Sequence, residues 1–231
     1  LSFDNQLIFK MICGLIIAVL AGMVIIGGLT RIAKASSWLV PIMGGLYVLT
    51  ATFILIANFE DVPSVIKIIF SDAFTGTSVA GGTLMGVIMY GIQRGAFSNE
   101  AGIGTEALIH GTAKTNSPIK QGFVAMIGPI FDTLLICTAT AVVIILSGLW
   151  VDDEYSGVSL TAMAFQAFLG NTGIAVVFLC VVFFGISTIF TYSYYGSVCA
   201  RFLFGPKGQR IYLYIFIATI IFLPEIFPFE V

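Results

Sequence analysis

Charge is what this sequence has least of. Asp, Glu, Lys and Arg make up only 10% of its 231 residues, against 58% hydrophobic, and the mean hydropathy is +1.06. Soluble domains carry about 25% charged and about 45–50% apolar residues. A soluble chain of this length still needs a polar skin, so the excess apolar surface must face lipid. Ten cations against 12 anions leave a net charge of −2 with no basic run, which excludes the electrostatic footprint of a nucleic-acid binder. Cysteine is sparse as well. Cys13, Cys137, Cys180 and Cys199 sit in or at the ends of apolar stretches with no CxxC spacing, so no disulfide framework or metal site is expected, and they read as small buried hydrophobes. A single histidine, His110, cannot make a metal site without partners.

What is present is a succession of long apolar runs. A bilayer-crossing helix needs roughly 20 apolar residues, and the sequence predicts six spans: 7–28, 38–59, 77–113, 121–150, 173–199 and 211–227. Trp38 reads as an interfacial anchor, and Ser64–Asp72 as a surface helix too short to cross. Gly128 and Pro129 predict a kink, and Thr161–Leu169 a short lid-like helix after the polar loop Asp152–Glu154. The expectation is an all-α integral membrane protein forming one transmembrane domain over 1–231. The chain starts at Leu1 rather than Met, and its first apolar run is too long for a signal-peptide core; it reads as part of a longer protein.

Six spans require consecutive loops to alternate sides, and the positive-inside rule tests that. One set of loops holds Arg31, Lys34, Lys114, Lys120, Arg201, Lys207 and Arg210. The other holds Lys10 and Lys67 against Asp4, Glu60, Asp61, Asp72, Asp152, Asp153, Glu154 and Glu225. The asymmetry agrees at every loop and places residue 1 outside.

The third apolar stretch is interrupted. Residues 94–106 read Arg-Gly-Ala-Phe-Ser-Asn-Glu-Ala-Gly-Ile-Gly-Thr-Glu, so Arg94, Glu100 and Glu106 fall at membrane depth. Each would cost roughly 2.5–3.5 kcal/mol at the centre of a lipid-facing helix; they must face protein or water. Gly91, Gly95, Gly102 and Gly104 weaken the helix further, by about 0.8–1.0 kcal/mol each relative to alanine. Unwound backbone at this depth is tolerated only where it lines a cavity or packs in protein. In transporters such breaks turn helix-end amides toward an anionic group and carbonyls toward a cation. The plainer reading is a glycine kink for close packing, with Arg94 and Glu100 as a buried pair.

Two other polar clusters point inward. Ser187, Thr188, Thr191, Tyr192 and Tyr195 fall within about 140° of one another at 100° per residue. Adjacent Ser187 and Thr188 offer oxygens suited to a hard monovalent cation; equally, such hydroxyls bond back to their own helix or across to a neighbour. Asp132 is expected to pair inside the bundle, with Arg94 one candidate partner.

The run Gln93-Arg94-Gly95-Ala96-Phe97-Ser98-Asn99-Glu100-Ala101-Gly102-Ile103-Gly104, with Gln121–Gly128, Phe131-Asp132-Thr133, Cys137–Thr140, Leu146–Gly148, Ser187-Thr188 and Tyr194–Gly196, closely resembles the alanine/glycine:cation symporter family. The likeness covers essentially the whole chain. It implies a LeuT-type fold of two inverted five-helix repeats, here seen in part, with the six spans resembling helices 4 to 9. It implies alanine and glycine as substrates, Na⁺ as coupling ion, no organic cofactor, and residence in the plasma membrane. By the same likeness Tyr90, Gly91, Gly95, Phe97, Ser98 and Asn99 lie in or near the helix 6 part of the substrate site. Ser187 and Thr188 match helix 8 hydroxyls of a Na⁺ site, and Tyr192 stands where relatives often have Trp. Arg94, Glu100 and Asp132 remain as structural or gating charges.

The family's helix 1, a glycine-threonine-rich break that holds the substrate carboxylate, has no counterpart in 1–231. The expected role makes and breaks no bond, so an enzyme is not expected. The rivals are H⁺ coupling or another amine substrate on the same fold, and a non-transporting scaffold or channel-like subunit.

Overall fold

A computed structural model describes residues 3–74, 84–151 and 155–226. The expected polar loop 152–154, the start of the broken span at 77–83, and Pro228 lie outside the described residues. The described residues form helices joined by short turns, with no strand. That follows from the solvent: in hydrocarbon every backbone N–H and C=O must be satisfied internally, and a helix does this within one segment.

In chain order the helices are α1 (Phe3–Ile25), α2 (Leu29–Ala57), α3 (Val62–Phe74), α4 (Leu84–Ser98), α5 (Glu100–Ile103), α6 (Glu106–His110), α7 (Pro118–Pro129), a π-helical segment (Ile130–Cys137), α8 (Thr138–Ser147), α9 (Gly157–Leu169) and α10 (Asn171–Ile226). Three are long and apolar enough to cross a membrane among the described residues: α2, the continuous run Pro118–Ser147, and α10 over Asn171–Ile221. The protein is a multi-pass membrane protein.

The helix boundaries differ from the sequence expectation in three places. The predicted span 38–59 falls within α2 up to its end at Ala57, but α2 starts earlier, at Leu29, so Arg31 and Lys34 are helical. The expected loop between 199 and 211 contracts to a single non-helical residue, Gly205 (φ 73°, ψ −169°), within α10. Pro206 follows it directly, and its fixed φ suits the first turn of the resumed helix. Third, the kink predicted at Gly128-Pro129 becomes a widened turn. Proline in a helix lacks the N–H and crowds the carbonyl one turn back; here the chain answers with eight π-helical residues, Ile130–Cys137.

The chain divides into two compact units, Leu1–Gly45 with Phe178–Val231, and Leu46–Val177. In the first, Ala21 and Ile25 of α1, Ile32 of α2 and Phe190 of α10 form a buried cluster flanked by Ile186, Ile189, Leu213 and Phe216. Buried Cys180 donates to the Met43 carbonyl at 3.7 Å and behaves as the small hydrophobe the sequence implied, whereas Cys137 and Cys199 are exposed within this chain, against that expectation. In the second unit Ala51, Ile54, Val143, Ala164 and Phe165 are 0% exposed. Tyr47 stacks at a tilt on Phe165, centroids 5.4 Å apart, and its hydroxyl meets Thr140 Oγ1 at 2.5 Å. The helix expected at Thr161–Leu169 is α9, which starts at Gly157 behind a Ser156–Ser159 capping box. It buries Ala164 and Phe165 in this core.

Candidate functional site

The interruption lies later in the chain than most of the residues expected to carry it. Tyr90, Gly91, Gly95, Phe97 and Ser98 all belong to α4 and are helical; the side chains of Tyr90 and Ser98 lie outside the described residues. Gly91 and Gly95 have open space where a Cβ would stand, so nothing forces the backbone to unwind there. The break falls at Asn99, whose backbone is extended (φ −143°, ψ 165°).

Asn99 holds the turn that the break begins. Its Oδ1 accepts from the Gly102 N–H at 3.1 Å, capping α5. Its Nδ2 donates to Thr133 Oγ1 of the π-helical segment at 3.2 Å. The chain then doubles back over the end of α4, and a Cβ at Gly102 would lie 2.2 Å from the Ala96 carbonyl oxygen. Gly104 closes α5 in the left-handed region (φ 87°), with its N–H on the Glu100 carbonyl at 2.9 Å. Glycine is therefore required at 102 by space and at 104 by backbone conformation.

The charges are distributed around this turn. Arg94 is exposed within this chain, Glu100 and Asp132 are half-buried, and both Arg94 and Asp132 have interaction partners. The Glu100 carboxylate accepts from the Thr105 hydroxyl. Glu106 Oε1 lies 3.2 Å from His110 Nε2, and His110 Nδ1 is 2.6 Å from Gln121 Nε2 of α7. These three line an open cavity of about 560 Å³ together with Gly104, Ala107 and Gly122. Residues that sequence reasoning missed are thus Thr133, Thr105 and Gln121. The Glu106–His110 pair was legible as an i, i+4 spacing; the other contacts depend on tertiary geometry.

The second polar cluster lies on α10, in the other unit. Ser187 is buried at 9% exposure, Thr188 is exposed, and Tyr192 is 40% exposed. The Ser187 hydroxyl donates to the Phe184 carbonyl at 2.9 Å, and Thr191 donates to the Ser187 carbonyl at 3.0 Å. A hydroxyl whose proton is committed this way keeps its lone pairs. Ser187 Oγ is therefore back-bonded, as the plainer reading expects, and still able to accept from or ligate a cation. Tyr192 packs edge-on against Tyr195, centroids 5.9 Å apart.

Residues 2–227 match the sodium:alanine symporter family. The chain belongs to that family. It is 39% identical over 218 residues to an uncharacterized transporter, YflA, of Bacillus subtilis, covering 92% of this chain and 46% of the relative. It is 37% identical over 210 residues to the sodium/alanine symporter AgcS of Methanococcus maripaludis (90% of this chain, 46% of the relative). A sodium/proton-dependent alanine carrier protein of Bacillus sp. PS3 is 33% identical over 217 residues (87% and 49%). The chain spans about half the length of the curated relatives it matches.

Proposed function

We propose sodium-coupled symport of small neutral amino acids, alanine and glycine, across the plasma membrane by alternating access, with this chain supplying one part of the site in a LeuT-type bundle of six spans and residue 1 on the outer side. The observation that carries the reading is the break at Asn99 inside an apolar segment of a chain belonging to a symporter family. The last carbonyls of α4 have no partner further along their own helix, and they suit the polarity of an ammonium or a Na⁺ ion. Tyr90, Gly91, Gly95, Phe97, Ser98 and Asn99 form the α4 side of the pocket, with Tyr192 as a wall. Ser187 and Thr188 ligate Na⁺. Arg94, Glu100 and Asp132 hold or gate the bundle. No bond is made or broken, so the protein acts as a carrier and not as an enzyme. Na⁺ binding orders the Ser187 region, the amino acid occupies the break, and the helices rock around it.

Uptake of labelled alanine by the intact protein in proteoliposomes tests this. Uptake should require a Na⁺ gradient at fixed pH and collapse when choline replaces Na⁺; uptake unchanged in choline would refute the proposal. A second reading, a proton as co-ion, is favoured by one observation: Glu100 and Glu106 both sit within the broken segment, and Asp132 in the segment that Asn99 contacts. One relative's name also couples sodium with protons. Alanine uptake driven by a pH gradient in Na⁺-free medium decides for it.

A further inference from the structure

The unit formed by Leu1–Gly45 and Phe178–Val231 carries a second cavity, of about 350 Å³, where the turn between α1 and α2 meets α10. Its lining is divided by chemistry. Ile25, Ile32 and Leu213 give an apolar floor, while Ser197, Arg201 and Gln209 give a polar rim. Ser197, 5% exposed, donates its hydroxyl proton to the Tyr194 carbonyl at 2.9 Å. Ser193 likewise donates to the Phe190 carbonyl, so the lining side-chain donors that remain for a ligand are the Arg201 guanidinium, the Gln209 amide and the Tyr194 hydroxyl. All three are suited to an anionic oxygen, and the planar fork of arginine fits phosphate in particular.

The charge around the cavity is of one sign. Residues 26–37 and 196–213 contain Arg31, Lys34, Arg201, Lys207 and Arg210 and no acidic residue. Among the described residues none of these five cations forms an ion pair. A cationic rim over an apolar floor, beside the start of α2 and the kink at Gly205 in α10, is complementary to an amphiphile with a negative head. A free phosphate would satisfy Arg201 but leave the Ile25–Ile32–Leu213 floor facing water. Basic pockets between transmembrane helices take anionic head groups for this reason. We infer that this cavity, centred on Arg201 and Gln209, binds the phosphate head group of an anionic phospholipid. The inference is independent of which solute the protein carries.

The test uses the intact protein purified in a neutral detergent. Its thermal unfolding is followed while short-chain phosphatidylglycerol, phosphatidylcholine of equal chain length, or inorganic phosphate is titrated in. Ligand that binds only the folded state raises Tm with saturation, and phosphatidylglycerol alone should do so. Arg201→Gln should raise the half-saturating concentration at least tenfold. Lys207→Gln, which removes the same charge outside the cavity lining, should change it less than threefold. Equal weakening by the two variants would mean a diffuse surface attraction and would overturn the site. An equal Tm rise with inorganic phosphate would overturn the lipid assignment. Should Arg201→Gln not fold, Gln209→Leu takes its place, with a threefold or greater weakening expected; an unchanged titration overturns the proposal.

Discussion

Two stretches of this apolar chain are rich in polar groups, and they handle them in opposite ways. At 98–104 the main chain leaves the helix: Asn99 is extended, Gly104 is left-handed, and α5 is a single turn between them. At 184–197 the helix never opens. Ser187, Thr191, Ser193 and Ser197 donate to the carbonyls of Phe184, Ser187, Phe190 and Tyr194, all three or four residues back. The first arrangement exposes backbone carbonyls and amides, which are strong, fixed dipoles. The second keeps the backbone satisfied and offers only the lone pairs of side-chain oxygens. Substitutions should therefore hurt through backbone geometry in the first stretch and through side-chain chemistry in the second.

The hardest test of the comparison is Gly102→Ala. The added methyl would sit 2.2 Å from the Ala96 carbonyl oxygen, a backbone atom that cannot swing aside. Overpacking of this kind typically costs about 1–3 kcal/mol, and the turn can relieve it only by opening. Transport should be lost together with a fall in Tm. Wild-type uptake in this variant would show that the doubling-back over α4 is dispensable. Gly104→Ala is next: forcing alanine to φ 87° costs about 1–2 kcal/mol. Gly104→Asn should recover part of the loss, since asparagine tolerates the left-handed region. Thermal unfolding of the three proteins side by side should rank them Gly, Asn, Ala.

How far these features were legible in the sequence depends on what each glycine and proline is for. Four glycines between 91 and 104 marked a weak helix, yet only two of them mark the break. An interior glycine costs a helix only about 0.8–1.0 kcal/mol, too little by itself to open one, so Gly91 and Gly95 remain helical. Gly102 is set apart by a close approach, and such tertiary contacts leave no trace in composition. Pro129 announced a disturbance but not its form, because kinks and widened turns both accommodate the missing N–H. The π-helical outcome carries Asp132 and places Thr133 within reach of Asn99. Gly205 was hidden in an expected loop, since a single glycine before a proline suffices where several residues were allowed for. The apolar excess and the family resemblance, by contrast, needed no tertiary information.

The side-chain half of the comparison is sharpened by replacing Ser187 and Thr188 together with alanine. Neither change disturbs the backbone of α10, so expression and Tm should fall little. If the two oxygens ligate Na⁺, the Na⁺ concentration giving half-maximal alanine uptake should rise at least tenfold, equivalent to about 1.4 kcal/mol. Loss of folded protein in proportion to loss of uptake would instead assign the hydroxyls to helix packing alone. Thr191→Val serves as the internal control: its hydroxyl is committed to the Ser187 carbonyl at 3.0 Å, and its removal should leave the Na⁺ dependence within threefold.

Asn99 is where the two kinds of effect can be separated on one residue. Asn99→Ala removes both the cap on the Gly102 N–H and the bond to Thr133, and loss of such a cap costs about 1 kcal/mol. Asn99→Asp keeps an acceptor for the cap but loses the amide that donates to Thr133. Its stability should therefore stay close to wild type, while Asn99→Ala melts several degrees lower. Uptake discriminates further. If the contact with the π-helical segment only braces the fold, Asn99→Asp should transport normally. If it couples the break to the segment carrying Asp132, Asn99→Asp and Thr133→Val should each slow uptake at unchanged Tm. Combining them should then add little to either, since both remove the same hydrogen bond.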